Sequence, residues 1–377
     1  MWFLTINSGS SSIKYSLFKV GRRLLLKDKG VVEKIGEEAA VFIKESKRKK
    51  IIIRDHLDAI EVILAEIKSE IKEVSSLMAV GHRVVHGGER FKDSVIINTQ
   101  VLKHIKKCNH LAPLHNPPSI LAIEACLKLL KNVPQVAVFD TAFHHTIPIA
   151  AYTYALPYDF YRKYKVRRYG FHGTSHNYVA VEAAKILKKP FNKLKLITCH
   201  LGNGCSIAAI KNGKSIDTSM GFTPLEGLVM GTRSGDIDPA IIFFLIEKGY
   251  SPTEVEELLN RGSGLLGVSG ISNDMREIEK EISKGNKRAS LAREIFVYRL
   301  AKYISSYVGV LGGADAVVFT GGIGENQKRL RSAVEKIIKP LLEKFKTKIL
   351  VIATDEELMI AKESLKLLKY KSHKEAM

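Results

Sequence analysis

Residues 4–18 read LTINSGSSSIKYSLF. An apolar, β-prone run (Leu4, Ile6) breaks into a hydroxyl-rich loop from Asn7 to Ser12, and an alternating run (Ile13, Tyr15, Leu17) follows at once. Alone this is a turn, because Gly, Ser and Asn are ordinary turn residues. The chain repeats it: residues 197–210, ITCHLGNGCSIAAI, again set an apolar run, a Gly/Ser/Asn loop and a second alternating run in order. Each copy continues into a basic glycine turn, KVGR at 19–22 and KNGK at 211–214. The copies differ by one loop residue, the second being the longer when Asn7–Ile13 is compared with His200–Ile207.

The correspondence extends outward. MAVGHRVVHGG (78–88) and ADAVVFTGG (314–322) each place a buried-type β run before a Gly pair, and QVAVFDT (135–141) and ILVIATDEE (349–357) each end such a run in acids. Loop, Gly pair and acid recur in one order, on a scale far above solenoid periods. The expected fold is therefore a duplicated α/β domain with polar loops gathered at one end of each sheet.

At 377 residues and 45% hydrophobic composition the chain supports two cores, since single cores rarely exceed about 250–300 residues. The boundary is expected near 148–152, dividing 1–150 from 151–357, with a C-terminal helix over about 358–377 rejoining the first domain. The formal net charge of +20 is spread through Lys-rich runs such as ESKRKK (45–50) and LKLLKYKSHK (365–374), which read as solvated faces. No aromatic-studded basic stripe supports nucleic-acid binding, and small anionic ligands fit the charge. The four cysteines form no CxxC pair, which points to a reduced, cytoplasmic protein. No stretch reaches the roughly 18 apolar residues of a membrane span, and polarity by Thr5 argues against a signal peptide. Between the loops, Leu57, Ile60, Ile63, Leu64, Ile67 and Ile71 recur at helical spacing, SPTE at 251–254 is a capping box, and Leu291–Tyr307 is amphipathic up to Gly312-Gly313.

Gly-rich loops between strands let backbone N–H groups approach phosphate oxygens, and serine hydroxyls and Lys14 add donors and charge. The P-loop pattern is missing. Two such cradles with acids at nearby strand ends describe a cleft for nucleotide phosphates and a magnesium ion. Arg83 and His86 in GHRVVHGGERF, His172 in RRYGFHGTSH and Arg233 in GLVMGTRSGDIDP sit among small residues, where backbone can approach a ligand closely.

Ten strings in order, INSGSSSIKYSLF, GHRVVHGGERF, APLHNPPSI, VFDTAFHHTIP, RYGFHGTSH, HLGNGCSIAAI, DTSMGFTPLEGLVMGTRSGDIDP, SGLLGVSGISNDMRE, VFTGGIGEN and TDEELMIA, resemble the acetate kinase family and cover the chain from Leu4 to Ala361. The resemblance implies duplicated ribonuclease-H-like (actin-like ATPase) domains with a cleft between them. It implies magnesium-dependent transfer of a phosphoryl group from ATP to acetate, with manganese as a substitute ion, small-molecule substrates and a homodimer. Propionate or another short carboxylate is the alternative acceptor, and an actin-like scaffold or chaperone is the alternative that is not a kinase.

Carried over residue by residue, Arg83 and Arg233 would hold acetate and the transferring group, His172 would hydrogen-bond that group and His115 would lie close by. Asn7 and Glu356 would position the metal, with Ser10, Ser12 and Lys14 around the phosphates. Nucleotide would be held by His200, Leu201, Gly202, Asn203 and Gly204, by Asp274, Met275 and Arg276, and by Gly321, Gly322, Ile323, Gly324 and Glu325. Val85, Leu114, Phe171 and Pro224 would wall the methyl pocket. Asp140 stands where sugar kinases of the same superfamily keep a base. An acetate already ionised at pH 7 needs none, so Asp140 is expected to orient magnesium-bound water or Arg83. Ser8, Asn273 and Asp355 depart from the residues usual in the family, and residues 20–80 form a shorter segment.

Overall fold

The computed structural model describes residues 1–45 and 47–375; Ser46 of the basic run and residues 376–377 of the expected C-terminal helix lie outside the described residues. Two compact units divide the chain: Met1–Phe143 with the chain from Asp355 onward, and His144–Thr354.

In the first unit the opening hairpin is β1 (Trp2–Ser8) and β2 (Ser12–Val20), followed by β3 (Leu24–Glu33), β4 (Ala40–Lys44) and β5 (Lys47–Ile51). β6 (Leu77–Val84), β7 (Val95–Ile96) and β8 (Gln135–Phe139) complete one sheet in the order β5-β4-β3-β2-β1-β6-β8-β7. β1, β6 and β8 run parallel, and the meander from β1 to β5 is antiparallel. The two-residue period of the sequence divides the sheet's faces. Leu4, Ile6, Ile13, Tyr15 and Leu17 pack with Ile60, Ile63, Leu64 and Ile67 of the helix His56–Ile67 and with Ala122, Ala125 and Cys126 of the helix Asn116–Leu129. Phe3, Phe18 and Ala79 pack with Ala361 and Leu365 of the helix Glu356–Glu375. Each such Leu, Ile or Phe side chain contributes about 1.5–3 kcal/mol. The first of these helices stops four residues short of Ile71, which is buried beyond its end.

The second unit carries β9 (Lys195–Leu201), β10 (Cys205–Lys211), β11 (Lys214–Thr218), β12 (Ala316–Thr320) and β13 (Lys348–Val351), ordered β11-β10-β9-β12-β13. This is the order β3-β2-β1-β6-β8 again, antiparallel on one side of the first strand and parallel on the other. The duplication read from loop, Gly pair and acid is thus a duplication of strand order. One detail is corrected. Pairing closes the hairpins at Ser8–Ile13 and Leu201–Cys205, so the loops are residues 9–12 and 202–204, and the first is the longer. Both ladders close one residue past the aligned Asn7 and His200, but in the second copy the returning strand pairs Cys205 and Ser206 before reaching Ile207, whereas Ile13 is itself in the last pair of the first copy.

Elsewhere the local signals act as expected. Ser251 and Glu254 form a reciprocal capping box, and the helix Lys287–Leu311 ends on Gly312 in the left-handed region at φ 62°. All four cysteines are free thiols. Among the described residues no helix is long and apolar enough to cross a membrane.

Candidate active site

In the first unit β1, β6 and β8 end side by side, which brings Asn7, Arg83 and Asp140 together. Asp140 accepts from Arg83 Nη2 at 2.6 Å and from Nε at 3.0–3.1 Å, while Arg83 Nη1 donates to Asn7 Oδ1 at 3.2 Å. Glu356, at the start of the last helix, lies 3.9 Å from Arg83 Nε. Burial works against the Arg83 charge, but Asp140 and Glu356 outweigh it and its pKa rises. The carboxyl of Glu356 is also pushed up, first by burial and then, against the pull of Arg83, by Asp140 and Glu357.

Those oxygens bear on the implied metal. Asn7 and Glu356 are hard donors of the kind magnesium takes, and magnesium commonly keeps only one or two protein ligands beside water and phosphate. Burial first, and then Asp140 and Glu357, disfavour the charge on Glu356, and a bound cation would favour it. Among the described residues no three His, Cys, Asp or Glu groups cluster as a complete metal site. The residues fit a metal that arrives with nucleotide.

The first loop is braced from behind: His56 Nε2 lies 3.0 Å from Gly9 O, Gly9 N donates to Ser12 O at 2.7 Å, and Ser8 Oγ donates to Pro118 O. Ser10 and Lys14 are left exposed. His115 is half-buried ahead of the helix Asn116–Leu129, and Asn116 clamps the backbone of His86 through two 3.0 Å hydrogen bonds. Asn116 lies in APLHNPPSI, where the sequence alone assigns it no role. Val85 is buried, whereas Leu114 is 50% exposed.

In the second unit His172 and Arg233 converge on the β9–β10 loop. A Cβ on Gly204 would sit 3.4 Å from Arg233 Nη1 and from His172 Cε1, which places both side chains against the loop at van der Waals distance. His172, in the left-handed region at φ 55°, precedes the helix Gly173–Leu187, a conformation uncommon outside glycine that concentrates at functional positions. Its ring stacks on His200 at 4.3 Å, and its Nδ1 lies 2.9 Å from Ser206 Oγ. Phe171, beside it, is buried, with its carbonyl 2.9 Å from His144 Nε2; Pro224 is half-buried.

Arg233 differs from Arg83 in company. It is half-buried and makes no ion pair with an acid among the described residues, where its guanidinium donates to Met230 Sδ at 3.9 Å. Burial pulls its pKa below the usual arginine value. A desolvated guanidinium without counter-charge suits an anionic ligand held bidentately.

Seven of the nucleotide candidates, Gly202, Asn203, Asp274, Met275, Arg276, Gly322 and Ile323, line one cavity of about 640 Å3 with Asn273, Asn326 and Gln327, whereas Gly204, Gly321 and Gly324 are not in its lining. Asn203 ties its loops together, accepting from Asn273 Nδ2 through its side chain and from Gly231 N through its carbonyl. Asp274 caps the next helix and holds Arg276. Leu201 is fully buried, and the Glu325 carboxylate folds back to accept from Gly321 N at 2.9 Å. Arg331, which donates to the carbonyls of Gly324 and Glu325, went unnoticed in the sequence because it stands outside every motif.

Comparison with known proteins identifies the family. The acetate kinase of Carboxydothermus hydrogenoformans is 52% identical over 396 aligned positions covering 97% of this chain and 99% of the relative. The crystal structure of Porphyromonas gingivalis acetate kinase superposes at TM-score 0.91, with 44% identity, 97% coverage of this chain and 99% of that one. A propionate kinase from Francisella tularensis superposes at 0.89 with 45% identity, covering 96% and 98%. The acetokinase family pattern matches residues 2–362, and with these relatives it shows that the chain belongs to the acetokinase family.

Proposed function

We propose that the protein transfers the γ-phosphoryl group of ATP to a carboxylate oxygen of acetate, giving acetyl phosphate and ADP, and that the reaction is reversible. The observation that carries this reading is Arg233, a desolvated guanidinium without an acidic partner among the described residues, beside the His172 ring at a glycine loop. A protein whose acceptor is water has no need of a second anion-binding arginine.

In-line phosphoryl transfer asks little covalent chemistry of a protein; positioning and electrostatic stabilisation of the equatorial oxygens carry the rate. The acetate oxygen attacks the γ-phosphorus as the bond to the β,γ-bridging oxygen breaks, and ADP leaves with that electron pair. Acetate is already an anion at pH 7, so no residue removes a proton. Arg233 neutralises charge on the transferring group, and His172 donates to it. Arg83, braced by Asp140, holds the acceptor carboxylate. The cavity about Asn203 and Asp274 takes the nucleoside end. A magnesium ion bound through Asn7 and Glu356 would supply charge neutralisation at the phosphates. The exposed apolar helix Ala240–Glu247 supports a homodimer.

Trapping acyl phosphate as hydroxamate with acetate, propionate and butyrate in turn, with ATP and magnesium, tests the reading. Acetate should give the highest kcat/KM. One methylene in an apolar pocket is worth about 1–3 kcal/mol, so a propionate preference of that size would reassign the substrate. No acyl phosphate from any of the three, with folded protein, would overturn the reaction.

A further inference from the structure

We infer that a buried hydrogen-bond chain, Thr198 to His176 to Ser206, fixes the tautomer of His172 so that its proton lies on Nε2. The inference deepens the proposed role of His172 as donor to the transferring group and rests on that reading for its catalytic meaning.

Ser206 Oγ lies 2.9 Å from His172 Nδ1 and 2.7 Å from His176 Nε2, while His176 Nδ1 lies 2.7 Å from Thr198 Oγ1. Thr198, His176 and Ser206 are fully buried. A hydroxyl has one proton, so Ser206 donates to only one of its two imidazoles, and the direction is decided at the far end. Among the described residues His176 is the sole hydrogen-bond partner of the Thr198 hydroxyl. If His176 Nδ1 donated to Thr198, the hydroxyl proton would be buried without an acceptor, at a cost of about 1–3 kcal/mol. Thr198 therefore donates to Nδ1.

His176 stays neutral: burial, then His144 and His200, push its pKa well below the usual histidine value. Their rings face it at 5.6 and 6.4 Å. Its single proton is consequently on Nε2 and goes to Ser206 Oγ. Ser206 in turn donates to His172 Nδ1. A neutral His172 that accepts at Nδ1 carries its proton on Nε2, the atom 3.5 Å from the Cβ that Gly204 lacks and on the side of Arg233. An imidazolium at His172 would have to reverse all three bonds and strand the threonine proton. Ser206, His176 and Thr198 are thus positioning residues that act through His172.

The test is nitrogen–proton correlation spectroscopy on full-length protein labelled with [15N]histidine, with His172→Gln to assign the signal. His172 should be protonated at Nε2 alone at pH 7. Thr198→Val, which keeps the shape of a residue one imidazole and one hydroxyl away, should give mixed tautomers at His172. It should also lower kcat about tenfold while the KM for ATP holds, and Thr198→Ser should restore both. A wild-type His172 protonated at Nδ1, or at both nitrogens, overturns the inference without any variant. So does a Thr198→Val protein whose kcat falls while the tautomer is unchanged, because that is a packing effect. Nε2 protonation in a protein that makes no acyl phosphate would support the chain and overturn only the proposed reaction.

Discussion

Arg83 and Arg233 carry the same group in opposite company, and their alanine variants should separate accordingly. Arg233→Ala removes a desolvated charge with no acidic partner, so the melting temperature should hold or rise slightly. kcat/KM for acetate should fall 10²- to 10³-fold, the loss of about 2.7–4 kcal/mol expected for one preorganised donor. Arg83→Ala should lose comparable activity and also take the guanidinium away from the buried Asp140 carboxylate, a cost of about 3–5 kcal/mol visible as a lower melting temperature. Equal melting of the two variants would contradict this.

Glu356 gives a pH-dependent counterpart. Its folded pKa lies above the unfolded value. Between the two the folded state holds a proton that the unfolded chain has released, so stability falls as pH rises through that window. Glu356→Gln should therefore melt higher than wild type at pH 7 without metal, match it near pH 4, and be a poor enzyme. Asp140→Asn should weaken the brace on Arg83 and lower kcat while the acidic limb of the pH–rate profile keeps its shape; loss of that limb would make Asp140 a general base. Arg83, Arg233 and His172 were legible because each sits in a short string of small residues. Ser206, His176 and Thr198 were not, since their meaning lies in contacts across three separate elements.

At the scale of elements, hairpin and crossover were readable from alternation and Gly pairs, whereas the lengths of the two loops were not. Alternation places side chains on faces, but the last closed pair depends on where the ladder of hydrogen bonds stops. The turn from β12 into the short helix Gly321–Asn326 shows how tightly such a junction is specified. Gly321 has φ 77°, and a Cβ there would lie 2.7 Å from the carbonyl oxygen of Leu201. Gly321→Ala should cost about 1–3 kcal/mol of stability and push the β9–β10 loop out of place. Calorimetric titration should then show weaker ADP binding with little change in the KM for acetate. Unchanged ADP affinity would detach this turn from nucleotide binding.

For the whole molecule, the run AIIFFLIE at 240–247 is apolar in seven of its eight residues, yet none of them is buried and Phe243 is 65% exposed. Hydrophobicity alone does not say which surface covers it. An apolar patch of this kind marks an interaction site, and we expect light scattering to give a dimer for wild type and a monomer for Phe243→Lys/Phe244→Lys; a wild-type monomer would refute that. The division of the chain carries a different consequence. Residues 144–354 form one continuous unit, but the sheet face bearing Phe3, Phe18 and Ala79 packs with Ala361 and Leu365 of the helix that starts at Glu356. At about 5–20 residues per second a ribosome takes roughly 10–40 s to make the intervening segment. For that time the newborn first unit shows an uncovered apolar face, a natural docking place for chaperones. The same late helix delivers Glu356, so a nascent chain stalled anywhere before it lacks one of the two oxygens proposed to hold the metal.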